Sequence, residues 1–400
     1  MARFRTSARG QLAVLSVAMV LAMTPWFSAT VAAPGMIAEW HAGPATTAWL
    51  TIAVQLGFVA GTCLSAILLL SDRLNPRRLA AFSALAASFA TALLVWRHTG
   101  PTLAIFLRAL TGVTLAGVYP PGIKVAAGWS RKRRGTAIGI LVGALTVGSA
   151  APNLFRFALP ADQWRSIVLI AALAAALSAA AFAFVLREGP FQAASAPFDP
   201  RALPRVFRDR SVVLATGGYL GHMWELYAMW SSIGAFWVYT ASHHSVAPSI
   251  AAALAFFTIA AGAFGCVIAG MVADRVGRPL VTIIAMGVSG TCALAIGPLI
   301  RGPFFVVAAV ALLWGVSIVA DSAQFSAAVT ELAPAQYVGT AITVQTSIGF
   351  LLTIVTIRLV PVWAEWWGWE RAYMPLAIGP ALGILAMWRL RRLTAAPRRP

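Results

Sequence analysis

The chain has 400 residues, of which 60% are hydrophobic and 10% charged, with a formal net charge of +18. A water-soluble domain carries about 25% charged residues, so this composition excludes an ordinary soluble enzyme and makes lipid the solvent for most of the surface. The basic residues recur in short clusters between apolar runs, which excludes a nucleic-acid face and fits basic loops gathered on one side of a membrane.

A spanning helix needs roughly 20 apolar residues. The apolar runs predict twelve, near 11–33, 45–70, 77–96, 101–127, 135–157, 164–186, 211–239, 248–272, 279–299, 303–328, 337–360 and 371–390. Arg3, Arg5 and Arg9 followed by an apolar run and Ser28-Ala-Thr-Val-Ala-Ala33 imitate a secretory signal. The run is too long for an ordinary signal core and contains Pro25 and Trp26, so it is read as a retained first span.

With the first span entering from inside, only Arg97, Arg156, Arg165, Arg301, Arg358 and Arg371 of the 30 Lys and Arg fall on the outer side. Arg108 and Lys124 lie within spans, and the remainder face inward. That bias places both termini in the cytoplasm of a bacterial-type inner membrane. Residues 187–210, with Pro190, Pro197, Pro200 and Pro204, form the one long polar stretch. Proline at this density opposes a buried helix, so 187–210 reads as a cytoplasmic linker. Its end, Leu203 to Arg210, is expected as a short basic helix on the inner leaflet.

The two halves match at a shift of about 203 residues. Gly135-Thr-Ala-Ile138 recurs as Gly339-Thr-Ala-Ile342, and Trp26 falls opposite Trp230. The loop Asp72-Arg73-Leu-Asn-Pro-Arg77-Arg78 returns as Asp274-Arg275-Val-Gly277-Arg278. The expected fold is therefore an all-α membrane protein, with six-helix bundles over 1–186 and 211–400 as a parallel repeat.

The Asp274 loop, its altered first copy and Arg108-x-x-x-Gly112 in the fourth span resemble the major facilitator superfamily of secondary transporters. The stretch Gly117-Val-Tyr-Pro-Pro-Gly-Ile-Lys124, with Gly143-Ala-Leu-Thr-Val-Gly148, looks more like bacterial cyanate and nitrate/nitrite-type permease relatives. The glycine-dense signature of nitrate porters is absent, and Pro152 follows Ala151 where drug/proton antiporters carry Gly, so neither substrate class is inherited. The resemblance implies alternating access, with spans one, four, seven and ten lining a central cavity. It also implies inner-face gating by Asp274, Arg275 and Arg278, and by Asp72 and Arg73 in the first copy, where Asn75-Pro76 distorts the turn. A carboxylate at a helix end can accept from backbone N–H groups of a neighbouring N-terminus, which suits such a gate. The bland reading of these arginines is orientation alone.

Charge in hydrocarbon is costly, so Arg108, Lys124, Glu225 and Asp321 are expected to face a cavity or a partner. Arg108 offers a planar fork of donors suited to an oxyanion; the alternative is an arginine holding backbone carbonyls. His222 and Glu225 share a helix face. A carboxylate in low dielectric favours its neutral form and histidine titrates near neutrality, so the pair can carry a proton, or Glu225 can simply be a hydrogen-bonded structural group. Asp321 can pair with Arg108 or Lys124 or take the proton itself, while Lys124 lies near enough to the inner face to snorkel. Trp26, Gln55, Tyr119, Asn153, Tyr227, Trp230 and Gln345 are the uncharged substrate-binding candidates, against ordinary interhelical bonding. Trp363, Trp366, Trp367 and Trp369 read as interfacial anchors, and Cys63, Cys266 and Cys292 as small packing residues.

The expected function is proton-coupled transport of a small, anionic solute by a monomer, with efflux of a hydrophobic or cationic compound as the alternative. No metal, cofactor or enzymatic role is expected. A membrane-embedded transferase would want clustered carboxylates or histidines at a membrane face, and none is present.

Overall fold

A computed structural model describes residues 7–43, 45–129, 134–160, 162–191, 198–199, 201 and 203–395. Among them, eleven helical segments are long and apolar enough to cross a membrane: α1 (Ala8–Trp40), α2 (Ala45–Ile67), α3 (Pro76–Val95), α4 (Pro101–Trp129), α5 (Gly135–Ala158), α6 (Trp164–Val185), α8 (Pro248–Val276), α9 (Arg278–Ala295), α10 (Phe304–Leu332), α11 (Ala335–Trp367) and α12 (Trp369–Thr394). The 34-residue α7 (Arg210–His243) completes the expected twelve. Glycines, His222 and Glu225 dilute its apolar character without shortening it. The fold is all-α, and large side chains such as Phe82, Phe184, Phe264 and Phe305 stay exposed on its surface, as lipid permits and water does not.

The helices break where the sequence removes a donor or loosens a turn. Pro25 has no N–H for the Leu21 carbonyl, so α1 is interrupted at Thr24, and the Thr24 hydroxyl donates to that carbonyl at 2.8 Å. In α4 the helix pauses between Leu115 and Tyr119, and in α10 between Ile318 and Ser322. These two breaks are offset by about 203 residues, the shift of the sequence repeat.

Contact density divides the chain into two compact units. One contains Met1–Ala194 and Ile233–Ala260; the other contains Ser195–Ser232 and Ala261–Pro400. Within the first, α2 and α4 approach through glycine. A Cβ on Gly57 would lie 1.9 Å from the Ala109 carbonyl oxygen, and one on Gly61 would lie 2.5 Å from that of Val113. Within the second unit, α8 and α10 repeat the arrangement, and a Cβ on Gly265 would lie 1.9 Å from the Val316 carbonyl oxygen. Backbones this close permit small residues only.

Local details differ from the sequence expectation in two places. The basic helix expected over Leu203 to Arg210 is a four-residue turn, Leu203–Val206. Asn75-Pro76, expected to distort its loop, instead starts α3: the Asn75 side chain accepts from Arg78 N–H at 3.1 Å and Pro76 takes the first helical position, where proline is favoured. The corresponding start of α9 uses Gly277 at φ 88°.

Candidate functional site

Glu225 is 1% exposed on α7, and each of its carboxylate oxygens has a partner on a different helix. Trp314 of α10 donates its indole N–H to Oε1 at 2.6 Å, and Ser289 of α9 donates its hydroxyl to Oε2 at 2.9 Å. One buried carboxylate thus ties together three helices of the second unit. Such a group is tolerated away from water because its oxygens are hydrogen-bonded.

One turn earlier on α7, His222 Nδ1 lies 2.8 Å from Asp321 Oδ1, with both side chains almost fully buried. The contact is close without being aligned as a hydrogen bond, and His222 Nε2 has no hydrogen-bond partner among the described residues. Asp321 stands at the break in α10, as the residue preceding its second segment. His222 and Glu225 therefore share a helix, as their spacing predicts, but engage different residues of α10. Asp321 meets His222.

Aromatic rings surround the same stretch of α7. Tyr219, His222 and Phe325 form a triangle with centroids 5.6–6.1 Å apart. Tyr227 packs on Trp230 at 5.6 Å and on Phe350 of α11 at 5.1 Å. Gln345, also on α11, is fully buried, and neither end of its amide has a hydrogen-bond partner among the described residues.

In the first unit, Arg108 of α4 is completely buried and its guanidinium faces backbone. Nη1 donates to the Pro25 carbonyl at 2.8 Å, Nε to the Leu50 carbonyl at 3.3 Å, and Nη2 to the Trp26 carbonyl. The arginine thus fastens α1, just past its proline break, to α2. Trp26 packs against Phe58 in a tilted arrangement with ring centroids 5.0 Å apart, and Thr30 and Thr51 share a hydrogen bond of 2.7 Å. Between those α1–α2 contacts, on the helix face of Thr51 and Phe58, lies Gln55, buried and without an amide partner among the described residues. Asn153 of α5 is buried, with its amide donating to Ala150 at 3.4 Å. Tyr119 opens the second segment of α4, and Lys124 is half-buried farther along it.

The two charged loops use different residues. Arg278 reaches Asp274 at 2.9 Å, Glu331 at 3.3 Å and the Gln324 side-chain carbonyl at 3.1 Å, while Arg275 is exposed. In the first copy Arg73 is exposed and the Asp72 side chain lies outside the described residues. Arg77 does the fastening there, with Nη1 at 2.8 Å from the Ala183 carbonyl and 3.1 Å from that of Leu186, where α6 ends in a π-helical turn.

Trp314 and Ser289 are the functional candidates that sequence reasoning missed. Trp314 is the one residue with a polar side-chain hydrogen in the run Phe304 to Gly315, and it lies seven residues before Asp321 in the sequence. That spacing was an available signal; Ser289 offered none.

The sequence model of the Major Facilitator Superfamily matches residues 15–356. Among solved structures, the fold is similar to that of a bacterial homolog of the human lysosomal transporter Spinster, in an inward-facing and occupied conformation. The two share 15% identity and a TM-score of 0.69, over 95% of this chain and 96% of that one. No curated protein matches the sequence.

Proposed function

Because the chain belongs to the major facilitator superfamily, it is a membrane secondary transporter, and we propose that protons drive it through Glu225. The hydrogen bonding of that carboxylate carries the reading. Indole is a donor only, whereas a serine hydroxyl both donates and accepts. A proton on Oε1 would oppose the Trp314 N–H, so Oε2 is the oxygen that takes it, and the Ser289 hydroxyl turns from donor to acceptor. The charged form holds α9 and α10 by two charge-assisted bonds; the neutral form holds them by weaker ones. Protonation thereby alters how α7 grips its neighbours, which is the kind of two-state element that alternating access needs.

His222 and Asp321 extend the titratable set to the break in α10. A change of charge on either residue bears directly on the junction of the two α10 segments. Arg278, with Asp274, Glu331 and Gln324, is the corresponding lock at the helix ends, and the basic-residue bias supports an inner-membrane orientation with that loop inside.

The sequence points to an anionic solute through Arg108. Three of its N–H groups donate to backbone carbonyls, which supports the alternative role, a fastening of α1 to α2. The aromatic surroundings of α7 favour the second substrate reading, a hydrophobic compound.

The proton site is tested without knowing the solute. The infrared spectrum of the purified protein in lipid, recorded as pH is lowered, should gain a protonated-carboxyl band that Glu225→Gln removes. A band unchanged in that variant would assign the proton elsewhere.

A further inference from the structure

Three polar side chains in the second unit have buried groups without hydrogen-bond partners among the described residues: the Thr216 hydroxyl, His222 Nε2 and both ends of the Gln345 amide. Each residue is at least nine-tenths buried. An unmade hydrogen bond in a low-dielectric interior is costly, and three such groups gathered in one region point to a ligand that supplies the bonds.

Their placement is shared. Thr216 and His222 flank Tyr219 on α7, each three residues from it and about 120° apart around the helix. On α11, Gln345 and Gly349 are four apart and share a face. A Cβ on Gly349 would lie 2.3 Å from Tyr219 Cε1 and 3.0 Å from Met223 Cγ, so that face of α11 is the one turned to this stripe of α7. The Tyr219, His222 and Phe325 rings line it.

The charges of the region are already engaged. Glu225 accepts from Trp314 and Ser289, and Asp321 lies against His222. The groups left for a ligand are an amide, a hydroxyl and an imidazole nitrogen among aromatic rings. An anion would find no cation free of a carboxylate there, and a cation would find only a carboxylate already occupied by histidine.

We propose that the α7–α11 face binds a neutral, planar aromatic solute with an amide-like edge, and that Gln345 reads this edge by donating and accepting at once. A side-chain amide offers a donor pair and an acceptor in one plane, matching a ligand whose own donor and acceptor are adjacent. The proposal rests on the transport reading but not on proton coupling.

Its test uses three probes that share a naphthalene ring: 2-naphthamide (neutral), 2-naphthoate (anionic) and 2-naphthylmethylamine (cationic). Equilibrium binding is measured to the full-length protein in lipid nanodiscs at one pH, with empty nanodiscs correcting for partition into lipid. The amide should bind about tenfold tighter than either charged probe, and Gln345→Leu should weaken the amide about tenfold with little change for the others. If Gln345→Leu does not fold, Thr216→Val should show the same selective loss. Tighter binding of the anion or the cation, no saturable binding of any probe, or an amide affinity indifferent to both variants would overturn the proposal. None of these results depends on protonation of Glu225, so the infrared experiment and this one fail separately.

Discussion

Trp314 donates its indole N–H to Glu225 Oε1 at 2.6 Å, joining the middle of α10 to the middle of α7 through a bond that only one form of the carboxyl keeps at full strength. Trp314→Phe retains the ring and removes the donor. Because bonds to charged groups contribute about 1.5–3 kcal/mol, the variant should lower the free energy of unfolding in lipid–detergent mixtures by roughly that amount. The penalty should shrink in a Glu225→Gln background, where the acceptor is neutral. An equal loss in both backgrounds would mean that packing, not the hydrogen bond, is what Trp314 supplies.

Glycine at the close helix contacts gives a second prediction. Gly265→Ala places a methyl 1.9 Å from the Val316 carbonyl oxygen, and backbone cannot swing aside as a side chain can. Overpacking of this kind costs about 1–3 kcal/mol, so the variant should melt earlier and fold in lower yield. Gly287→Ala, whose nearest neighbour is Ile384 Cδ1 at 3.9 Å, should be neutral or stabilising by up to about 1 kcal/mol.

The contrast between those glycines shows what the sequence did and did not disclose. Span positions, the repeat and the buried charges were legible because hydrocarbon imposes length and polarity constraints on every residue in turn. The shift of about 203 even anticipates paired contacts, Gly61 with Val113 and Gly265 with Val316. Partners across helices were not legible. Nothing local tells that Arg108 would face the carbonyls of Pro25, Trp26 and Leu50, or that Glu225 would meet Ser289, because those choices depend on how the helices rotate against one another. In the sequence Arg77 is one basic residue of a charged loop, and its grip on the end of α6 follows from packing that no spacing encodes.

Arg108→Lys separates the fastening role from anion recognition. Lysine keeps the charge but lacks the fork that reaches three carbonyls. A buried charge with fewer partners should cost about 2–4 kcal/mol of stability, measured by unfolding in lipid. Arg108→Met, which removes the charge altogether, should cost less. A parent protein that binds 2-naphthoate tighter than 2-naphthamide, with that preference kept in Arg108→Lys and lost in Arg108→Met, would restore the anion reading.

Arg278→Gln addresses the charged loop. Its partners Asp274 and Glu331 have half-exposed side chains, so the ion pairs should contribute under about 1 kcal/mol to stability. Their loss should instead shift the balance between conformations. A single cysteine introduced at Gln336, at the start of α11, should react with a water-soluble maleimide at a changed rate in Arg278→Gln. Raising the ionic strength should move the parent protein in the same direction, because exposed pairs are screened by salt.

The account stands most directly on what happens to a solute when Glu225 loses its titratable proton. Proteoliposomes holding the parent protein or Glu225→Gln are given a solute that raises the purified protein's melting temperature, with and without an imposed pH gradient. The parent should accumulate or expel the solute only with the gradient, and Glu225→Gln should still exchange labelled for unlabelled solute while ignoring it. Gradient-driven movement that survives in Glu225→Gln would contradict the proposed proton carrier.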